Sequence, residues 1–454
     1  MRCYKGACNR QTLVCEDTMA EEILLDYELD RPNVSVSQSE TDLKILLRVN
    51  ASNALRATET PATLNTNMAL VLDVSSSMKT RELDALKEAA RHAVQGLSPG
   101  DYITVVAFQS VAYDIVTPTL IVDESTIVDV MKKIDVIDQF QGGGTDMEYA
   151  LEKAAGHLSV VPEHDQVKKI VIFTDGMVTG IPENCLKTAR EISERGIVID
   201  ALGFGTEFDY KFMQRLVSYS NGVTELVERP EEISLVLERR VQSATSAVAT
   251  NVRLELHFTP QIRANRGYRY SPEIAYLGKM RLPGDTRSIS IPIGSLEKDK
   301  EYAYLITVAI PSRPAGKVRV VKADLYYDVP ALGVKGGSST QSVIVNYTDD
   351  PQAVAQISGA VERAFDEVEI GRLVEELDAS MKKNEHQNAA MLFDILAERY
   401  RELGDTDMSE HYDSLKSKYA RDGQLSQEEM NYTRHKSTQK RESGVQLVDA
   451  SSLI

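Results

Sequence analysis

MALVLDVSSSM, residues 68–78, joins a continuous apolar run to a series of side-chain oxygens. A strand that is buried on both faces of a parallel sheet has such a run. Three later runs have the same character: YITVVAF (102–108), KIVIFTD (169–175) and IVIDALGFG (197–205). Helix-length amphipathic segments separate the four runs. This alternation predicts a doubly wound, Rossmann-like α/β domain over residues 64–245.

The segments between these runs carry apolar residues at helical spacing. In the first of them Leu83, Leu86 and Ala90 recur on one face, and the sequence Ser-Pro-Gly-Asp at 98–101 ends it. The five expected helices cover 79–97, 126–137, 146–160, 182–195 and 209–219. Residues 111–121 follow the second run too closely for a crossover helix, so we expect an antiparallel edge strand there.

The sequence on either side of the α/β domain has a different pattern of polar and apolar residues. Residues 33–50 alternate between polar and apolar side chains. Five later segments alternate or are rich in aromatic residues: 252–258, 287–293, 302–310, 318–329 and 341–347. They predict an antiparallel β-sandwich with its first strands in residues 20–63 and the rest in 246–348. The α/β domain would then be an insertion in the sandwich.

The two ends of the chain differ from this middle part. Residues 349–422 have periodic apolar positions and predict a C-terminal helical domain with helices at 351–381, 384–403 and 406–420. Residues 423–454 are polar and are expected to be disordered. Residues 1–19 are expected to be a flexible leader. The cysteine spacing fits neither a zinc site nor a disulfide framework, so we expect free thiols at Cys3, Cys8, Cys15 and Cys185.

Composition limits the classes of function. The chain has 454 residues, enough for two to four domains, and a net charge of −17. An excess of negative charge argues against a nucleic-acid partner. No apolar run approaches the roughly 20 residues of a membrane-spanning helix. The N-terminal sequence lacks the pattern of a signal peptide. A cytoplasmic protein without a membrane span is the expectation.

Oxygen-bearing side chains cluster where the apolar runs end. Open α/β sheets bind ligands at the carboxyl edge of their strands. Two stretches lie at that edge, DVSSSM and FTDGM, and a glycine-rich loop, GGGTDM, precedes a predicted helix. Together they offer two carboxylates and three hydroxyls: Asp73, Ser75, Ser77, Thr145 and Asp175. A set of hard oxygens without thiol or imidazole favours Mg²⁺ or Mn²⁺, with Ca²⁺ as a further alternative, over zinc or copper.

DxSxS after an apolar strand, a threonine in a glycine loop and an aspartate ending a later strand resemble a von Willebrand factor A (VWA) domain. The resemblance covers residues 64–245 and extends to bacterial proteins with a similar multidomain arrangement. It implies a metal-ion-dependent adhesion site in which Ser75 and Ser77 bind the metal directly. Asp73 and Asp175 would act directly or through water, and Thr145 according to conformational state. The implied function is metal-dependent binding of a protein partner that presents an Asp or Glu carboxylate, without catalysis.

Several of these residues also fit alternative roles. Asp73 and Ser75 are favoured helix caps, and Asp146 is either a sixth ligand or a first-turn acid. The alternative function is a Mg²⁺-dependent phosphohydrolase with Asp73 as nucleophile, which would need a second acid two residues later, where the chain has Ser75. A phosphate-loop NTPase is disfavoured because GGGTDM lacks the phosphate-binding lysine. A scaffold without metal is the third alternative. The sequence indicates neither the partner nor the oligomeric state.

Overall fold

The computed structural model of the protein describes residues 22–53, 55, 64–161, 166–176, 179–205, 208–227, 229, 232–280 and 287–439. The predicted leader, with Cys3, Cys8 and Cys15, lies outside these residues. The described chain begins with three strands: β1 (Ile23–Leu29), β2 (Asn33–Ser35) and β3 (Glu40–Ala51). In β3 alternate side chains are buried in the sandwich core, and Leu46 on the opposite face is buried as well.

The central domain contains a six-stranded sheet, which confirms the α/β prediction. Its strands are β4 (Thr66–Asp73), β5 (Tyr102–Phe108), β6 (Ala112–Leu120), β7 (Val167–Thr174), β8 (Val198–Phe204) and β9 (Thr224–Val227). Their order across the sheet is β6-β5-β4-β7-β8-β9, and β6 is an antiparallel edge strand as predicted. β4 lies in the middle and is buried along its whole length, which explains its continuous apolar run.

Helices cover both faces of this sheet. They are α1 (Thr80–Gln95), α2 (Glu124–Ile134), α3 (Met147–Val160), α4 (Pro182–Glu194), α5 (Tyr210–Ser218) and α6 (Ile233–Thr245). α1 and α6 pack with one face in a core that includes Leu70 and Leu86. α3, α4 and α5 pack on the other face, around Val71 and Ile172. Each face of the sheet is therefore apolar because each is covered.

The segments before and after the central domain form one β-sandwich. Its later strands are β10 (Ala247–Phe258), β11 (Arg263–Ser271), β12 (Ala275–Lys279), β13 (Ser288–Glu297), β14 (Tyr302–Pro311), β15 (Gly316–Val329) and β16 (Val334–Thr348). One sheet has the order β1-β3-β14-β11-β12 and the other β13-β10-β15-β16-β2. The pairing of β3 with β14 confirms that the α/β domain is an insertion. One pairing is not antiparallel, since β2 runs parallel to β16 over three residues.

Helices follow the sandwich: α7 (Pro351–Val354), α8 (Gly359–Lys382), α9 (His386–Glu402), α10 (Thr406–Asp422) and α11 (Gln427–Thr438). α8, α9 and α10 share a core that includes Leu377, Phe393 and Tyr412. α8 also packs through Val361 and Ala364 against the first sandwich sheet. No helix in the described ranges is both long and apolar enough to cross a membrane.

The prediction of a disordered tail from residue 423 is wrong for residues 427–438, which form α11. Polar contacts hold this helix in place. The Asn431 amide donates to the backbone carbonyl of Phe208 at 2.6 Å, and Arg434 forms a buried ion pair with Asp378 at 2.8 Å. Because the buried face of α11 is polar, its sequence shows no apolar periodicity. Residues 440–454 of the predicted tail lie outside the described part of the chain.

Candidate metal centre

Asp73 is the last residue of β4, and its side chain is fully buried. One carboxylate oxygen accepts the backbone N–H of Ser75 at 2.8 Å, and the other accepts the hydroxyl of Thr174 at 2.5 Å. These bonds fix the turn that leaves the strand. Neither Asp73 nor Ser75 caps the following helix, because α1 begins at Thr80 and its N-cap residue is Lys79. The interpretation of these two residues as helix caps is therefore wrong.

Ser75, Ser77 and Asp175 form a continuous chain of side-chain oxygens. The hydroxyls of Ser75 and Ser77 lie 2.9 Å apart, and the Ser77 hydroxyl donates to Oδ1 of Asp175 at 2.8 Å. Asp175 directly follows β7, the parallel neighbour of β4. The two strands thus end at the same edge of the sheet and bring the two loops together.

Thr145 reaches the same place from the glycine-rich loop before α3. Its side chain is buried. A methyl group on Gly176 would lie 3.7 Å from Oγ1 of Thr145 and 3.4 Å from Oγ of Ser77. The two hydroxyls therefore border the space beside this glycine. All five predicted side chains lie at the carboxyl ends of β4 and β7 or in the loop that faces them.

The glycine-rich loop needs glycine for its conformation and for close contacts. Gly143 has a left-handed backbone, with φ +65°. A Cβ atom there would lie 2.0 Å from Oε1 of Gln109, and one on Gly144 would lie 2.9 Å from Oγ1 of Thr179. The hydroxyl of Ser76 donates to the Gly143 carbonyl at 2.9 Å. The loop is thereby held against the turn that carries the two serines.

The two carboxylates of the centre, Asp73 and Asp175, have no neutralising side chain among the residues that the structure describes. Burial raises the pKa of Asp73 above its usual range. Burial also raises the pKa of Asp175 to about 6, and repulsion from Asp73 and Glu82 adds to the effect. Within the described residues, no lysine, arginine or histidine forms an ion pair with either carboxylate. Two buried negative charges without a partner make a strong electrostatic preference for a cation.

The spacing of the oxygens fits a small octahedral ion. Mg²⁺–oxygen bonds of about 2.0–2.1 Å place neighbouring ligand oxygens about 3.0 Å apart. The separations of 2.9 Å between the Ser75 and Ser77 hydroxyls and 2.8 Å between Ser77 and Asp175 are close to this value. No group of three or more His, Cys, Asp or Glu side chains is placed to hold a metal in the part of the chain that the structure describes. A divalent ion at this centre would therefore need the serine and threonine hydroxyls as ligands in addition to the two carboxylates.

Sequence reasoning missed the residues that position this set. The Thr174 hydroxyl donates to Asp73 and accepts the backbone N–H of Gly176 at 3.3 Å. The Thr179 hydroxyl accepts the backbone N–H of Thr145 at 2.9 Å. Thr174 lies within the FTDGM stretch and Thr179 shortly after it, and their hydroxyl character was the available signal. Asp146 precedes α3, but its side chain makes no capping hydrogen bond.

Comparisons with known proteins agree with this architecture. The model of the von Willebrand factor type A domain family matches residues 66–226. An uncharacterized protein of Synechocystis sp. is 24% identical over 315 residues, which are 68% of this chain and 71% of that protein. Inter-alpha-trypsin inhibitor heavy chain H4 of Bos taurus is 24% identical over 249 residues, 53% of this chain but only 26% of that protein. The match thus spans about a quarter of the heavy chain.

Two solved structures share the fold over nearly the whole length of this chain. A von Willebrand factor type A protein from Catenulispora acidiphila has a TM-score of 0.77 and 17% identity, covering 94% of this chain and 99% of its own. The ArnB paralog VWA2 from Sulfolobus acidocaldarius has a TM-score of 0.59 and 14% identity, covering 92% and 98%. The family match shows that residues 66–226 form a von Willebrand factor type A domain, and the structural match shows that the fold of nearly the whole chain is shared.

Proposed function

We propose that this protein binds protein partners through a divalent cation, Mg²⁺ or Mn²⁺, held by Asp73, Ser75, Ser77, Thr145 and Asp175. The observation that supports this most strongly is the Ser75–Ser77–Asp175 chain, whose oxygen spacing is that of neighbouring ligands on an octahedral ion. The two carboxylates, which lack a cationic partner in the described part of the chain, supply the charge that a divalent ion requires. A cytoplasmic location remains a prediction.

The residues would have different roles. The two serine hydroxyls and the Asp175 carboxylate are the direct ligands. Asp73 already uses both oxygens for Ser75 and Thr174, so it would act through water and by its charge. The bound ion would supply a strong positive charge with an exchangeable coordination position. A partner's Asp or Glu carboxylate would take that position in a charge-assisted contact.

The phosphohydrolase alternative receives no support from the geometry of Asp73. A nucleophilic carboxylate needs one oxygen free to attack phosphorus. Asp73 is fully buried and both of its oxygens accept hydrogen bonds. We therefore propose a binding function and not phosphate transfer.

Titration calorimetry with Mg²⁺ and Mn²⁺ tests the proposal. The wild-type protein is expected to bind one ion, and Asp73→Ala and Asp175→Ala are expected to lose that binding. Asp129→Ala is a suitable control because its carboxylate is exposed on α2 of the same domain. Equal binding by the wild type and both site variants would refute the metal site. A second experiment measures how much partner protein is captured in Mg²⁺ and in EDTA. Equal capture in both buffers, unchanged by Asp175→Ala, would refute a role of the metal site in recognition.

A further inference from the structure

A groove separates α4 of the VWA domain from the outer face of the second sandwich sheet. It consists of two lobes with volumes of about 310 and 760 Å³. Both lobes are lined by Arg195, Gly196, Asn251 and Gly294. The groove lies at the amino ends of β7 and β8, at the opposite edge of the sheet from the candidate metal centre. A ligand here would contact two domains at once.

The sandwich wall of the groove is the solvent-facing side of β13 and β10. Ser290, Pro292 and Gly294 line the larger lobe, whereas Ile291 and Ile293 between them are buried in the core. Side chains alternate between the two faces of a strand. On this wall the groove is therefore bordered by the small residues Ser290, Pro292 and Gly294, and the larger aliphatic side chains between them point into the core.

Gly196 and Asn251, which line both lobes, lie close together where the VWA domain meets the sandwich. Gly196 and Asn251 both have left-handed backbones, with φ +72° and +52°. A Cβ atom on Gly196 would lie 3.0 Å from Oδ1 of Asn251. The Asn251 amide also donates to Asp328 at 2.6 Å. The VWA domain and the sandwich thus approach each other closely at these two residues, and a larger side chain at position 196 would crowd Asn251.

The groove is positively charged in a protein with a net charge of −17. Its only acidic lining residues among those described are Glu194 and Asp328. Five basic residues also line the groove: Lys168, Arg190, Arg195, Arg253 and Lys335.

Three of these cations belong to the VWA domain and have no carboxylate partner. Lys168, Arg190 and Arg195 form no ion pair with any side chain in the described ranges. Arg253, on the sandwich wall, is by contrast paired with Glu255 at 2.9 Å. The groove therefore keeps positive charge available for a ligand.

Two of the arginines are oriented by aromatic rings. The Arg190 guanidinium lies 4.9 Å from the ring centroid of Tyr219, and that of Arg253 lies 5.2 Å from Tyr326. Stacking restricts the guanidinium plane and leaves the N–H groups of Arg190 available, whereas the Nε–H of Arg253 is already paired with Glu255. An arginine held in this way loses less entropy when it binds a carboxylate with two parallel hydrogen bonds.

We propose that this groove binds an extended acidic segment of a partner protein, independently of the metal centre. The cations are distributed over both lobes, with Arg195 shared between them, and are not gathered at one point. One phosphate group would engage only part of this set. A chain with several Asp or Glu side chains engages cations in both lobes, and the hydroxyls of Ser290 and Ser295 provide further donors.

Fluorescence anisotropy with a labelled hexaglutamate peptide and the full chain tests this inference. EDTA in the buffer removes any contribution of the metal centre, so failure here and failure of the proposed function are distinguishable. The wild type is expected to bind the peptide, and binding is expected to weaken as salt screens the charges. Arg190→Gln/Arg195→Gln is expected to weaken binding about tenfold, because two charge-assisted contacts are lost.

Lys317→Gln/Arg319→Gln is the matched control. It removes the same charge from exposed positions at the other end of β15 and is expected to change affinity less than about twofold, as for screened surface charges. Lys168→Gln provides a second groove variant if the double variant does not fold. Absence of binding by the wild type, or equal losses in groove and control variants, would overturn the proposal. Tripolyphosphate that displaces the labelled peptide far better than unlabelled hexaglutamate would also overturn it, since the groove would then be a phosphate site.

Discussion

Replacing Asp175 by asparagine is expected to stabilise the metal-free protein and to destabilise the metal-bound one. In the folded chain the pKa of Asp175 is about 6, because of burial and the nearby Asp73. In the unfolded chain it is about 3.9. Above pH 6 the folded protein therefore holds a carboxylate whose ionisation is unfavourable, and stability decreases as pH rises through this interval.

The size of the effect follows from the two pKa values. Their difference corresponds to at most about 3 kcal/mol at pH 7.5. Asparagine removes the charge and keeps an oxygen that accepts from Ser77, so Asp175→Asn should recover about 1–3 kcal/mol in EDTA. For a domain of this size, that raises the melting temperature by roughly 2–4 °C per kcal/mol.

When a divalent ion is bound, the wild type is expected to be the more stable of the two proteins. The wild type gains about 2.7 kcal/mol when the free ion is at 100 times its dissociation constant, whereas Asp175→Asn has lost one of two charges at the centre. Thermal denaturation of both proteins, each in EDTA and in Mg²⁺, gives the four melting temperatures to be compared. Asp129→Asn, on the exposed face of α2, should match the wild type in both buffers.

The reasoning would be refuted if Asp175→Asn were less stable than the wild type in EDTA at pH 7.5. It would also be wrong if the difference between the two proteins stayed the same at pH 4.5. There the wild-type carboxyl is protonated in the folded state, so the charge-related difference should be largely lost.

Gly143→Ala is expected to lower stability by about 1–2 kcal/mol and to weaken metal binding, because the backbone is left-handed and the added methyl group collides with neighbouring side chains. Gly156→Ala, in α3 with open space around it, should instead raise the melting temperature, with a gain of about 0.5–1 kcal/mol. Asn431→Ala removes the buried hydrogen bond to Phe208. It should cost about 1–3 kcal/mol and speed hydrogen exchange in α11; unchanged protection would contradict this. Burial raises the pKa of Cys185 to about 12, so alkylation at pH 8 should require unfolding, and rapid labelling of the folded protein would show the thiol to be accessible.

The central sheet was predictable because its strands are buried on both faces and so have continuous apolar sequences. The edge strand β6 followed from the short interval between it and β5. The convergence of Asp73 and Asp175 also followed, since parallel neighbouring strands end at one edge. Each of these three features was predicted from the apolar runs, their spacing and the residues that follow them.

Thr174 and Thr179 were not predictable in the same way. The role of Thr174 depends on the register between β4 and β7, which pairs Leu72 with Phe173 and so brings Thr174 beside Asp73. Packing across the sheet determines the register, which cannot be deduced from the sequence of either strand alone. Positioning residues of this kind need the tertiary structure.

The error at α11 has a different origin. Its buried face contains Asn431 and Arg434 instead of aliphatic side chains, so a search for apolar periodicity does not find it. A local signal was nevertheless present. The backbone N–H of Glu429 donates to the Ser426 hydroxyl and the Glu429 carboxylate accepts from the Ser426 N–H, a capping box that the spacing of the two residues indicates.

The VWA domain and strands β10 to β13 lie between β3 and β14 in the chain, which affects the order of assembly during synthesis. β3 ends at Ala51 and β14 begins at Tyr302, so the ribosome adds about 250 residues between two strands that must pair. Closing a flexible loop of that length costs roughly 5 kcal/mol, and a folded VWA domain within it shortens the flexible part and lowers this cost. We therefore expect the insert to fold first. Until β14 emerges, β3 has an open edge and is the segment of the nascent chain most exposed to aggregation.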